Sequence, residues 1–369
     1  MKGKTIAVSI VGSMLFMSAI SCSGGKSSNG NKEMPDSTEY FRNPLMEKGP
    51  DPWAILHKGE YFYMHTMKDR LVLWRTKDIT DLKNAEYKTV WIPTEESNKY
   101  HLWAPEIHYI NGAWYIYYAA DDGNTDNHQL YVLENTNEDP FSGEFVMKGR
   151  ISTDKDNNWA IDGSVFENNG KLYMVWSGWQ TRRIDTETQC IYIAEMKNPW
   201  TLLSERVLIS KPELEWERHY ENDEGWTPSY KIFVNEGPQP LKSPDGKLIH
   251  IAYSASGCWT PYYSLGLLTA SADSNLLNPK SWNKAQNPVF KQDPKAGVYG
   301  TGHNSFFMSP DSTEYYILYH ARDTQTDPEG MGDTRNPRAQ KFTWDAQGFP
   351  IFGKPVTKNI KQKKPSGIK

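Results

Sequence analysis

The chain is poor in cysteine, in dense basic clusters, in long apolar runs and in helical periodicity, and each shortage excludes a class. Three cysteines among 369 residues cannot build the multi-bridge framework of a small secreted scaffold. Lys and Arg nowhere cluster densely and the net charge is only −4, so no nucleic-acid partner is expected. The one long apolar run, Ile6–Ile20, lies at the N-terminus, which leaves that end as the only expected contact with a membrane. Hardly any stretch repeats apolar residues at a period of 3.6, so a helical bundle is excluded.

Lys2 and Lys4 precede the apolar run, and Ala19-Ile20-Ser21-Cys22 ends it. This order resembles a bacterial lipoprotein signal: residues 1–21 are removed and Cys22 carries the lipid. Residues 22–39, mostly Gly, Ser, Asn and Lys, read as a flexible tether. The chain is therefore expected to be exported and lipid-anchored to the bacterial envelope, on its periplasmic face or at the cell surface. Cys190 and Cys258 remain, and their spacing does not show whether they meet, so they are left unpaired.

What the chain has in abundance is aromatic residues, including 14 Trp and 21 Tyr, which suit strands and surfaces that stack on sugar rings. It also repeats one phrase five times: an acid or His, a short apolar strand, a turn, then an aromatic strand. The copies begin at Asp51, Glu106, Asp162, Glu236 and His303. Further strand candidates follow, such as Leu71–Arg75, Gln129–Glu134 and Cys190–Glu195. Short strands in repeating sets predict an all-β fold, a five-bladed β-propeller over residues 40–358 with 359–369 as a tail. A β-sandwich with a second domain would need a linker, and no such break divides the body. The longer spacings hold Pro212–Pro228 and Pro279–Tyr299, expected as loops around the axis.

Singly, each acid is an ordinary turn former beside Pro or Gly. Together, Asp51, Glu106, Asp162, Glu236 and His303 share one phase of five repeats and are expected to converge on one axis. Clustered carboxylates shift each other's pKa values, an arrangement suited to acid–base chemistry or to a cation. Opposed carboxylates in an aromatic groove suit cleavage of a glycosidic bond, with one acid donating a proton and the other activating water or attacking.

Asp51-Pro-Trp, Trp103-Ala-Pro-Glu, Ile161-Asp-Gly-Ser-Val-Phe, Asn235-Glu-Gly-Pro and Gly302-His-Asn-Ser-Phe resemble, in order, the signatures of glycoside hydrolase family 43. The resemblance implies a five-bladed propeller and an inverting mechanism. It makes Asp51 the general base, Glu236 the general acid, and Asp162 the acid that raises the pKa of Glu236 and orients it. Base and acid carboxyls are then expected roughly 6.5–9.5 Å apart, leaving room for water. His303 falls on the family's axial histidine beside a hydrated metal, usually Ca2+. Because Ca2+ prefers oxygen, contact through water is expected rather than direct ligation. Trp103 resembles the tryptophan that stacks on the terminal sugar, and its alternative is a core aromatic. Glu106 is given a structural or water-binding role.

Tyr253-Ser-Ala-Ser-Gly-Cys-Trp-Thr260 and Arg335-Asn-Pro-Arg-Ala-Gln-Lys-Phe-Thr-Trp344 look like the α-L-arabinofuranosidase branch. Arg338 is expected to reach a sugar hydroxyl or the base, or else to close a blade with a salt bridge. The bulky Pro212–Pro228 segment favours a closed pocket and exo action. The substrate expected is arabinan or an arabinose-decorated plant polysaccharide, cut by a monomer. The alternatives are a β-xylosidase and a non-catalytic glycan-binding lipoprotein. A fructan-active propeller should open on Asn-Asp-Pro, where this chain has Gly49-Pro50 before Asp51.

Overall fold

The computed structural model describes residues 39–182, 186–222, 228 and 231–368; the signal segment 1–21, Cys22 and most of the tether lie outside the described residues. The described body is all-β. One four-stranded antiparallel sheet runs Trp53–His57, Glu60–Met64, Leu71–Thr76 and Glu86–Trp91, and a second runs Tyr100–Ile110, Ala113–Asp121, Gln129–Asn135 and Val146–Arg150. The last runs Tyr299–Met308, Tyr315–Arg322, Asn336–Trp344 and Pro350–Ile351.

Between them lies a nine-stranded sheet made of two successive antiparallel meanders. The first is led by Ala160–Asn168 and the second by Lys231–Lys242. They are fused where Thr186–Gln189 pairs in parallel with Lys231–Val234.

The hairpins form where the repeated phrase turns. Asn169-Gly170 and Asn111-Gly112 both take positive φ, as a two-residue turn matching the strand twist requires. Alternation then sends the aromatic side chains into the spaces between neighbouring sheets. Phe62, Trp114 and Tyr118 fill the first such space, and Trp159, Trp176 and Tyr192 the next. Phe290, Tyr319 and Phe342 fill another. Fully burying each such ring contributes roughly 1.5–3 kcal/mol.

The five leading strands touch one another in sequence, and the last of them, Tyr299–Met308, packs against the first, Trp53–His57. Trp53 Nε1 donates to Ile107 O at 2.8 Å, and Ser305 Oγ donates to Pro52 O at 3.0 Å. The chain ends reinforce this closure. Asn43 exchanges two hydrogen bonds with Ala339, while Leu45 and Gly49 donate to Pro337 O and Arg335 O. Residues 359–368 lie against the body: Gln362–Lys363 pairs with Tyr40–Phe41, and Lys364 bridges to Asp78 at 2.6 Å.

Candidate active site

Each leading strand opens on one residue in the left-handed region: Asp51 (φ 58°), Ala104 (44°), Asp162 (56°), Gly237 (54°) and His303 (44°). In four of the five strands this residue lies within a break in the pairing register. The backbone therefore aligns Asp51, Ala104, Asp162, Gly237 and His303. Glu236 stands one residue before that position and Glu106 two after it. The predicted common phase is thus corrected to three different positions, although the five side chains still approach one another. Left-handed geometry at a non-glycine residue costs about 1–2 kcal/mol, and such cost gathers at functional sites. Gly237 serves a second purpose, because a Cβ there would stand 3.3 Å from the His303 ring.

A cavity of about 330 Å³ opens here, lined by Asp51, Asp162, Glu236, His303, Trp103 and Arg335 among others. Asp51 is held on every side. Thr66 Oγ1 donates to its Oδ2 at 2.7 Å, Arg335 Nη1 lies 3.0 Å from Oδ1, and His303 Nδ1 lies 3.3 Å from the same oxygen. Its backbone N–H donates to His320 Nδ1 at 3.1 Å. Burial pushes the Asp51 pKa up, but Arg335, His303 and His320 outweigh it and hold the carboxyl well below the usual range. Asp51 is an ionised carboxylate.

Asp162 is the opposite case. Burial, then the charges of Glu236 and Asp51, push its pKa well up, against one hydrogen bond donated by Gly237 N–H at 2.9 Å. Asp162 and Glu236 therefore titrate as a pair that keeps a proton where a lone carboxylate would lose it. Tyr263 Oη donates to Glu236 Oε1 at 2.7 Å and fixes that side chain. One held anion and one proton-holding pair in a single cavity can serve as base and acid.

Glu106 is buried below them. It meets His108 Nε2 at 2.9 Å and accepts from Gln239 Nε2, as suits a structural part. His303 is buried, its pKa lowered first by that burial, and its N–H donates to Ser254 Oγ at 2.7 Å. Among the described residues no three His, Cys, Asp or Glu side chains converge as a metal cage. The donors around His303 do not suit direct ligation of a hard cation.

Trp103 lines the cavity as expected. Arg338 does not. Its guanidinium is fully buried, pairing with Asp323 at 2.6 Å and Asn336 Oδ1 at 2.8 Å. Arg338 belongs to the paired strand, whereas Arg335 precedes it and turns into the cavity. The arginine at the base is Arg335.

Cys258 and Trp259 also line the cavity. Their loop is tied to the described part of the Pro212–Pro228 segment, where Trp259 Nε1 donates to Tyr220 O and Gly257 N to His219 O, both at 2.8 Å. Glu217 anchors that segment through Lys284 at 2.7 Å and Tyr253 Oη at 2.8 Å. Cys190 and Cys258 are both free thiols. Sequence reasoning missed Arg335, Thr66, Tyr263 and His320. Arg335 alone had a signal, since it stands three residues before Arg338 in the same phrase.

The profile of glycosyl hydrolases family 43 matches residues 41–350. An extracellular exo-α-(1→5)-L-arabinofuranosidase of Streptomyces avermitilis is 38% identical over 333 residues, covering 87% of this chain and 64% of that protein. Its namesake from Streptomyces chartreusis is 35% identical, covering 76% of this chain and 82% of that protein. The chain thus spans less than two thirds of the Streptomyces avermitilis relative. The crystal structure of an α-L-arabinofuranosidase from Lactobacillus brevis is similar at a TM-score of 0.77 and 35% identity, over 87% of this chain and 98% of that one.

Proposed function

The chain belongs to glycosyl hydrolase family 43, and on that premise we propose that it is an inverting, exo-acting α-L-arabinofuranosidase. The carrying observation is the contrast within one cavity between the ionised Asp51 and the proton-holding Asp162–Glu236 pair. In this reading Asp51 draws a proton from water as that water attacks the anomeric carbon. Glu236 gives its proton to the departing oxygen, and Asp162 keeps Glu236 protonated until then. Trp103 offers its face to the terminal sugar and Arg335 keeps Asp51 charged and oriented.

The architecture is read as a five-bladed β-propeller, with the nine-stranded sheet counted as two blades. The closed ring of leading strands supports that count. The relatives' names, with arabinofuranosidases from two Streptomyces species and Lactobacillus brevis among them, favour arabinose over xylose. The anchored loop bearing Cys258 and Trp259 favours a pocket closed at one end, and so exo action on arabinan or arabinose-decorated chains. Export and a lipid on Cys22 follow from the N-terminal pattern, and a monomer is retained. Ca2+ is proposed only as a hydrated ion beside His303, with no step passing through it.

The test is a panel of aryl arabinofuranosides, aryl xylosides and linear arabinan, with and without chelator. Release of single arabinose units supports the reading. Release of xylose alone, or of no sugar, contradicts it.

A further inference from the structure

Behind Trp103 lies a buried histidine that plays no part in the chemistry above. The His128 ring is fully buried and stacks on the indole of Trp103, with centroids 3.9 Å apart and planes 24° apart. Both of its nitrogens face only acceptors. Nδ1 lies 3.0 Å from Thr125 O and 3.1 Å from Asp121 Oδ2, and Nε2 lies 3.0 Å from His101 O. A neutral imidazole has one N–H and one lone pair, so it would aim that lone pair at an oxygen in a site without water. An imidazolium satisfies all three contacts.

The neighbouring charges fit. Asp121 is fully buried, accepting from Gly123 N–H at 2.8 Å and meeting His101 Nδ1 at 2.8 Å. His101 is part-exposed and needs only its Nδ1–H to satisfy Asp121, so the countercharge falls to His128. Arg182 and Asp126 belong to the adjacent turn, where the guanidinium is bonded to Asp126 O and Asn127 Oδ1. Burial opposes charge on His128, while the two carbonyls and Asp121 favour it. The same Thr125 carbonyl also accepts from Trp159 Nε1 at 2.8 Å. Trp103, Thr125 and Trp159 all line the cavity.

We propose that His128 is a positioning residue, held as an imidazolium against the rear face of Trp103, and that its charge fixes the aromatic wall of the sugar pocket. A cation against a tryptophan face attracts it electrostatically. The proposal rests on the reading of Trp103 as the sugar platform.

The test uses the full chain with 15N-labelled histidine, together with kinetics on an aryl arabinofuranoside. His128 should show the two-N–H imidazolium signature at neutral pH. KM should rise as pH climbs through the loss of that proton, with kcat nearly constant. Asp121→Asn should shift this rise to lower pH, because it removes the charge that holds the proton. His128→Gln should raise KM about fivefold, within the range set by a partly desolvated cation–π contact. A neutral His128 ring at pH 6.5 overturns the proposal without recourse to any variant. A raised KM in Trp103→Ala with an unchanged KM in His128→Gln overturns the role of His128 alone. An unchanged KM in Trp103→Ala removes the sugar platform itself, and the proposal with it.

Discussion

Arg335 Nη1 lies 3.0 Å from Asp51 Oδ1, and its Nη2 grips Asp333 at 2.7 Å, so the guanidinium is oriented before it meets the base. Removing it takes away the largest of the influences that lower the Asp51 pKa. Arg335→Ala should lower kcat/KM about 10²-fold or more, as for a lost preorganised charge partner. Because the Asp51 pKa rises in the variant, the acid limb of the pH profile should move to higher pH. Arg338→Met, by contrast, should leave that limb in place and affect stability alone. Kinetics from pH 4 to 8 on both variants distinguish them.

The contrast between these two arginines shows where the sequence was legible. Both belong to one phrase, but Arg338 sits in the strand opposite Tyr319 while Arg335 precedes it. Three residues decide between a blade interior and a reacting cavity, and no periodicity reports where a strand begins. The repeated acids behaved likewise. Composition and repeat brought Asp51, Asp162, Glu236 and His303 to one axis, and the cavity holds all four. Their common phase was wrong because each register break inserts residues that period-two counting cannot see. Thr66, Tyr263 and His320 reach the site from second strands and loops, and their positions follow only from the packing.

Tyr263 should tune the acid. Its hydroxyl donates to Glu236 Oε1 at 2.7 Å, and a bond donated to a carboxylate favours the ionised form. Tyr263→Phe should therefore shift the alkaline limb to higher pH, with a loss in kcat/KM of about tenfold or less. An alkaline limb moving to lower pH contradicts this.

Asp162 should trade stability for function. Its folded pKa is raised, so its protonated form favours the fold, and that contribution is lost as pH rises through the raised value. Asp162→Asn keeps an acceptor for Gly237 N–H and removes the buried charge. At pH 7 it should raise Tm by about 2 °C or more while lowering kcat at least ~10²-fold. Calorimetry beside kinetics tests both halves. A lower Tm, or an unchanged kcat, counts against the role given to Asp162.

Glu217 should matter for folding. It is fully buried and bridges Lys284, Tyr253 and the backbone N–H groups of Glu213 and Leu214. Glu217→Ala leaves Lys284 without its partner and should destabilise the protein by about 3–5 kcal/mol. Urea denaturation measures it. A loss below about 1 kcal/mol, the scale of an exposed pair, removes its part as an anchor.

The most direct test of the base and acid assignment is proton NMR of the sugar at the moment of its release from an aryl α-L-arabinofuranoside. If Asp51 activates water and Glu236 protonates the leaving group, the first product is β-arabinofuranose, which equilibrates only later with the other forms. Asp51→Asn and Glu236→Gln should each abolish its formation while remaining folded. Release of the α anomer first would mean that a carboxylate attacks the sugar directly, contradicting the role assigned to Asp51.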